Sequence, residues 1–334
     1  MARSMLRHKT NSIREALESV ADGVKAFEHE GRWAVGFGTS EVEVWESGGW
    51  LCFDAPYRGP LRADWSLLAV SGRLEASLKL VRSGADDSVR VRAELPIATA
   101  RDLHSQLLGI RSGFEQAIGA GLAVGVSTPP VPEVAIMEEG SRGTKSPEAE
   151  ARSSELAALC ELAHQSFTPR SEGHGVVDLV AGPGFWQAEI RRVAGGDLWL
   201  RTSIDEPDTG ASAAALARLL LRASGTLRLV RATAGATDAA HREPAFEVRL
   251  TRGEAGERAD AEAERLVDAV GAIAAACRYV GDEARLIAGS ESLARAYFEP
   301  SRGSDRKLNQ SAAHMKKRGT QTSPRQDLAT SQPG

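Results

Sequence analysis

The sequence predicts an α+β protein: two tandem α-β-β-β-α-β-β-α domains, each an antiparallel sheet packed against helices, followed by a disordered C-terminal tail. Three observations carry this reading. Ser71-Gly72 followed by Leu78-Lys79-Leu80-Val81-Arg82 recurs as Ser224-Gly225 followed by Leu227-Arg228-Leu229-Val230-Arg231. Helical and strand periodicities alternate in the same order in both halves. The 334 residues suit two domains better than one. The expected spans are 1–125 and 153–299 for the domains, 126–152 for a linker and 300–334 for the tail.

In the first half, Ser12-Ile13-Arg14-Glu15 has the form of a capping box. Ile13, Leu17, Val20, Val24 and Phe27 then share one helical face, and Gly31 ends the helix. Trp33, Val35 and Phe37 alternate as a strand, Val42 and Val44 as a second, and Gly48-Gly49 turns into a third at Trp50-Leu51-Cys52-Phe53. Asp64 to Ser71 reads as a short apolar helix stopped by Gly72. Leu74, Ala76, Leu78 and Leu80 pair across a turn with Val89, Val91, Ala93 and Leu95, the clearest period-2 signal in the chain. Leu103, Leu107, Ile110, Phe114 and Ile118 mark the closing helix.

The second half repeats this order. Leu156, Leu159, Cys160, Ala163 and Phe167 form the helical stripe. Val176–Val180, Trp186/Ala188/Ile190 and Leu198/Leu200/Thr202/Ile204 are strands, Ala213–Ala223 the middle helix, and Leu227/Leu229 with Phe246/Val248/Leu250 the second hairpin. Glu257–Val280 closes the domain, and Asp282–Phe298 adds a further helical segment. Four prolines, glycines and mixed charge argue against regular structure over the linker. The tail has few apolar residues and more Lys and Arg than Asp.

Net charge is −4 and pI about 6.0, so nothing global draws the chain to nucleic acid or an anionic membrane. No run of about 18 apolar residues and no signal-peptide h-region is present, so a cytoplasmic protein without a membrane span is expected. Cys52, Cys160 and Cys277 are far apart and odd in number, which suits buried thiols in a reducing compartment.

Motifs for chemistry are sparse. None of the seven histidines stands at i+3 or i+4 from another, and no zinc-ligand spacing occurs. Gly36-Phe37-Gly38 lacks the third glycine of a dinucleotide fingerprint, and Gly140–Ser146 lacks phosphate-loop spacing. No cofactor, metal or catalytic residue is assigned, and the protein reads as a non-enzyme.

Surface signals carry more. Trp45 is out of phase with Val42 and Val44, and Trp199 with Leu198 and Leu200; one core face cannot hold both sets, so some of the tryptophans should lie on the outer face of the sheet. Arg90, Arg92, Arg191, Arg201, Arg228 and Arg249 share the polar phase. Tryptophan with arginine suits a partner-binding surface. The same arginines, alternating with Glu43, Glu75, Glu94, Glu189 and Glu247, also fit a solvated face with the tryptophans tucked under neighbouring elements.

The α-β-β-β-α-β-β-α order, seen over about 11–120 and 154–280, resembles the type III secretion chaperone-like fold and its YbjN-like relatives. The resemblance implies a bacterial, non-enzymatic domain that binds another polypeptide, chaperone-like or regulatory, and pairs with a second copy. Here an internal pseudo-dimer through the middle helices or the sheet faces would follow, or a homodimer. This chain departs from the family in being duplicated, only weakly acidic and basic at its end. The expected protein-binding residues are Trp45, Trp50, Trp199, Arg90 and Arg92. Two alternatives remain at this stage: a regulator touching nucleic acid through its basic tail, and an enzyme with a site between the copies.

Overall fold

In a computed structural model of the chain, residues 12–26, 31–59, 64–74, 78–84, 86–97, 103–119, 147–171, 174–181, 185–193, 196–234, 243–251 and 259–298 are described. Two six-stranded antiparallel sheets carry the fold. The first joins β1 (Gly23–Ala26), β2 (Arg32–Phe37), β3 (Ser40–Ser47), β4 (Trp50–Pro56), β5 (Leu78–Arg82) and β6 (Val89–Pro96) in the order β1-β2-β3-β4-β6-β5. The second joins β7 (Phe167–Ser171), β8 (His174–Leu179), β9 (Trp186–Arg192), β10 (Leu198–Ser203), β11 (Arg231–Thr233) and β12 (Ala245–Leu250) as β7-β8-β9-β10-β12-β11. The strand order is the same in both, and so the fold is α+β with a tandem arrangement of sheets.

The alternating strands bury one face each. Val89, Val91, Ala93 and Leu95 pack with Phe53, Leu51, Val42, Val44, Phe37 and Trp33 under α1 (residues 12–20) and α3 (Leu103–Phe114). In the second half Trp186, Ala188, Ile190, Leu198, Leu200, Phe246 and Val248 pack under α4 (Pro147–Leu162) and α6 (Ala259–Ala276). A π-turn over Cys277–Gly281 leads from α6 into α7 (Asp282–Ala288), and α8 (Glu291–Phe298) follows.

Several sequence expectations are corrected. The first helix stops at residue 20, and Val24 lies in β1, where it pairs with Val35. Phe167 likewise belongs to β7 rather than to α4. Both side chains pack against the core as expected, but with a period of two: the backbone leaves the helix at Ala21-Asp22 and at Ala163-His164, where His164 takes a left-handed φ of 54°. Helix α4 starts at Pro147, inside the expected linker, because proline is tolerated in a first helical turn. The remaining linker (126–146) and the tail lie outside the described residues.

The recurring motif is also realigned. The second middle helix, α5 (Gly210–Thr226), is capped by Thr209 and runs up to Leu227. Leu229 adopts a left-handed φ of 60° in the turn that follows, so Leu227–Val230 is no strand and Arg228 has no strand face. The equivalence is set by two buried serines. Ser71 Oγ accepts the amide of Leu80, and Ser224 Oγ accepts that of Ala232. Leu80 therefore corresponds to Ala232, and Lys79 to Arg231.

The two halves contact each other through these elements. Helix α2 (Asp64–Arg73) packs on α5 and β11, and α5 packs on β5. A helix C-terminus carries unsatisfied carbonyls and partial negative charge, and suits cations. Here each half supplies cations to the other half's helix. Lys79 Nζ donates to the carbonyls of Leu227 at 2.6 Å and Val230 at 3.3 Å, and Arg92 donates to Gly225. Reciprocally, Arg231 donates to the carbonyl of Leu74 at 2.9 Å and Arg249 to that of Gly72 at 3.2 Å. At the β5–β6 turn, Asp87 accepts Arg218 and Arg222 from α5.

Candidate functional site

The candidate site is built on the sheet faces turned away from α1, α3, α4 and α6. On the first sheet this face carries Arg32, Trp45, Trp50, Cys52, Asp54, Arg90, Arg92, Glu94 and Lys79, which the register sets side by side. Trp45 and Trp50 are half-buried, while their out-of-phase neighbours Val42, Val44, Leu51 and Phe53 are fully buried. The guanidinium of Arg92 stands 5.6 Å from the Trp45 ring centre.

Much of this face is already occupied. Arg90 and Arg92 both reach the buried carboxylate of Asp54, at 2.9 and 3.0 Å. Glu94 takes Lys79 at 2.8 Å and Arg228 of the second half at 3.0 Å, and also accepts the amide of Leu229. Arg228 lies 2.7 Å from Cys52 Sγ. The second half thus covers the β4–β6–β5 side, and Arg90 and Arg92 serve internal pairs. Trp45 stands on the neighbouring strand β3, with Arg32 opposite it, and Trp50 stands at the end of β4 opposite Pro96.

On the second sheet Trp199 is half-buried, with Arg191 at 4.9 Å and Arg201 at 6.0 Å from its ring centre. Beneath it, Glu247 is buried and accepts Arg231, together with Arg249 at 2.8 Å. Burial would raise Glu247, but Arg231 and Arg249 outweigh it and hold this carboxyl below its ordinary range. His174 sits on the same face opposite Arg191, and burial, then the charge of Arg191, lowers its pKa. Sequence phase alone had marked Arg191 and Arg249 as outward, but had no means of placing His174 beside them.

The three cysteines are buried and unpaired. Burial raises all three thiols, Cys160 to about 11 and Cys277 to about 12. The thiolate is the reactive form, so native protein should resist maleimide or Ellman's reagent, with three thiols per chain released only on unfolding. Fast stoichiometric labelling of any one of them in the native state contradicts this packing.

Among the described residues, no helix is long and apolar enough to cross a membrane, and no group of His, Cys, Asp and Glu is arranged to hold a metal. No protein-family model, curated protein or solved structure matches the chain.

Proposed function

We propose that this chain is a non-enzymatic protein-binding module, chaperone-like or regulatory, that holds a polypeptide client on its sheet surface. In this reading its halves are tandem copies of a secretion-chaperone-like domain working in the cytoplasm. The observation that carries the reading is the pair Trp45 and Trp199. Each is a large aromatic held on a sheet face away from the core helices, half-buried, with an arginine against its ring. Such side chains offer wide contact area at low entropic cost, and are the usual energetic centres of protein interfaces. The matching strand order of the two sheets and their reciprocal helix caps support the tandem-copy reading.

Strand addition gives a client a second handle. At the outer ends of the sheets stand β1 and β7, since β5 and β11 lie at the contact between halves. Pro169 removes a donor from β7 and Arg170 adds charge, both of which discourage added strands. Strand β1 also carries one cation, Lys25, but has no proline and so keeps all its donors, which makes it the better edge.

The test uses peptides selected on the full-length protein from a displayed library. Replacing Trp45 and Trp199 together by alanine should weaken their binding by about tenfold or more, with the melting transition in place. Undiminished binding removes the reading; a collapsed transition shows that the tryptophans serve the core instead.

A further inference from the structure

The strand register brings together a row of side chains that is charged in one sense only. His174 of β8, Arg191 of β9, Trp199 of β10 and Arg249 of β12 are direct cross-strand neighbours on the outer face of the second sheet. Directly opposed side chains stand about 5 Å apart, close enough for like charges to destabilise each other. The row contains no acid. Its neighbour, Val176–Glu189–Arg201–Glu247–Arg231, alternates in sign and lends Glu189 to Arg191 at 3.0 Å and Glu247 to Arg249. Over both rows four arginines (191, 201, 231, 249) face two glutamates (189, 247), a surplus of two positive charges before His174 is counted. Arg201 donates to a neutral carbonyl, that of Glu243, at 2.9 Å. Asp178, one row further out, is held by Gln187 and Ser166.

The first sheet is the internal comparison. Its corresponding row is Arg32–Trp45–Cys52–Glu94, and the next is Ala34–Glu43–Asp54–Arg92–Lys79. Three cations (Arg32, Arg92, Lys79) there meet three carboxylates (Glu94, Glu43, Asp54), and Arg228 of the second half already reaches in. Counting Arg228, the first face also carries one surplus cation, but its carboxylates are taken up in internal pairs and the second half partly fills it; the surplus on the second sheet is two. Arg191 is about one-third exposed and Arg249, although it also donates to Gly72 and Glu247, slightly less, so both guanidinium groups keep an exposed side for a ligand.

Resting on the protein-binding reading above, we propose that the His174–Arg191–Trp199–Arg249 row is the client seat and that it takes an acidic segment of the polypeptide. Carboxylates of the segment accept from Arg191 and Arg249 on either side of Trp199, while its aliphatic carbons lie on the indole. Paired glutamates in the neighbouring row hold the arginines in place without neutralising them all. The face on the first sheet plays no part in charge recognition.

The experiment is fluorescence anisotropy with the full-length protein and three labelled probes: a Glu/Ser peptide, a Lys/Ser peptide of equal length and an oligo-dT strand. The Glu/Ser peptide should bind, more weakly as salt rises. Arg191→Gln should weaken it by about tenfold, and Glu189→Gln, which frees Arg191, should tighten it by about threefold. Arg14→Gln, on α1, should leave it unchanged. The opposite signs of the two sheet variants separate recognition from misfolding, since damage to the fold moves both the same way. Equal binding of the Lys/Ser peptide, or indifference to both variants, overturns the acidic seat and leaves peptide binding standing. Tighter oligo-dT binding with the same response to the variants assigns the row to nucleic acid instead and overturns it. Failure of every peptide, library-selected ones included, removes the protein-binding reading with it.

Discussion

Glu247→Gln should destabilise the protein by about 3 kcal/mol, because it leaves a buried guanidinium without its counter-charge. Arg231 and Glu247 are both about 95% or more buried as side chains, and the pair sits where α2 of the first half meets β11 of the second. Arg231 also caps the carbonyl of Leu74, so disturbing it disturbs the contact between halves. Removing both charges differs from removing one: Arg231→Met with Glu247→Met should recover most of the loss, since no isolated charge remains buried. Urea titrations of the singles and the double, read as a cycle, give the coupling. A cost below about 1 kcal/mol for Glu247→Gln would mean that water already reaches the pair.

The same carboxylate sets an acid limit. Its folded-state pKa is depressed, so the stability it contributes is present above the ordinary carboxylate range near about 4.3 and is lost as pH falls through the lower folded value. Wild-type stability should therefore fall on acidification more steeply than that of Glu247→Gln. Parallel pH profiles would contradict the assignment.

Trp186→Ala should cost about 3–5 kcal/mol, the range for emptying a buried aromatic site. This tryptophan is 2% exposed, between the second sheet and the helical layer. The Arg285 guanidinium stacks 3.5 Å from its ring centre, and the π-turn passes so close that a Cβ on Gly281 would come within 2.6 Å of the indole. A glycine there is required by the approach of the ring. Loss of the indole should release α7 and α8 first, seen as faster amide exchange over 282–298 than in β9 or β10. Uniform loss of protection would instead make the helical layer and the sheet one cooperative unit.

Much of the fold was legible because strand alternation survives any context that buries one face. Val89–Leu95, Trp33–Phe37 and Leu198–Leu200 were read in phase, and the outward phase of Trp45 and Trp199 followed from the same rule. Short windows failed where two periods share positions. Val24 stands four residues after Val20, and Phe167 four after Ala163, so both fitted a helix although the chain had already turned into a strand. The string Leu227–Arg231 resembled Leu78–Arg82 letter by letter. Its local conformation was decided by the length of α5, which consumes the first of those residues as its cap.

Sequence alone determined the class, the tandem order of the two halves and the outward phase of Trp45 and Trp199, because these depend on residue type and spacing along one strand or helix. Which charges meet was decided only in three dimensions. The row His174–Arg191–Trp199–Arg249 joins residues up to 75 positions apart through the pairing of four strands, and Lys79 caps a helix some 148 residues downstream. Charge has no periodicity of its own, so its partners depend on strand register and on how the two halves dock.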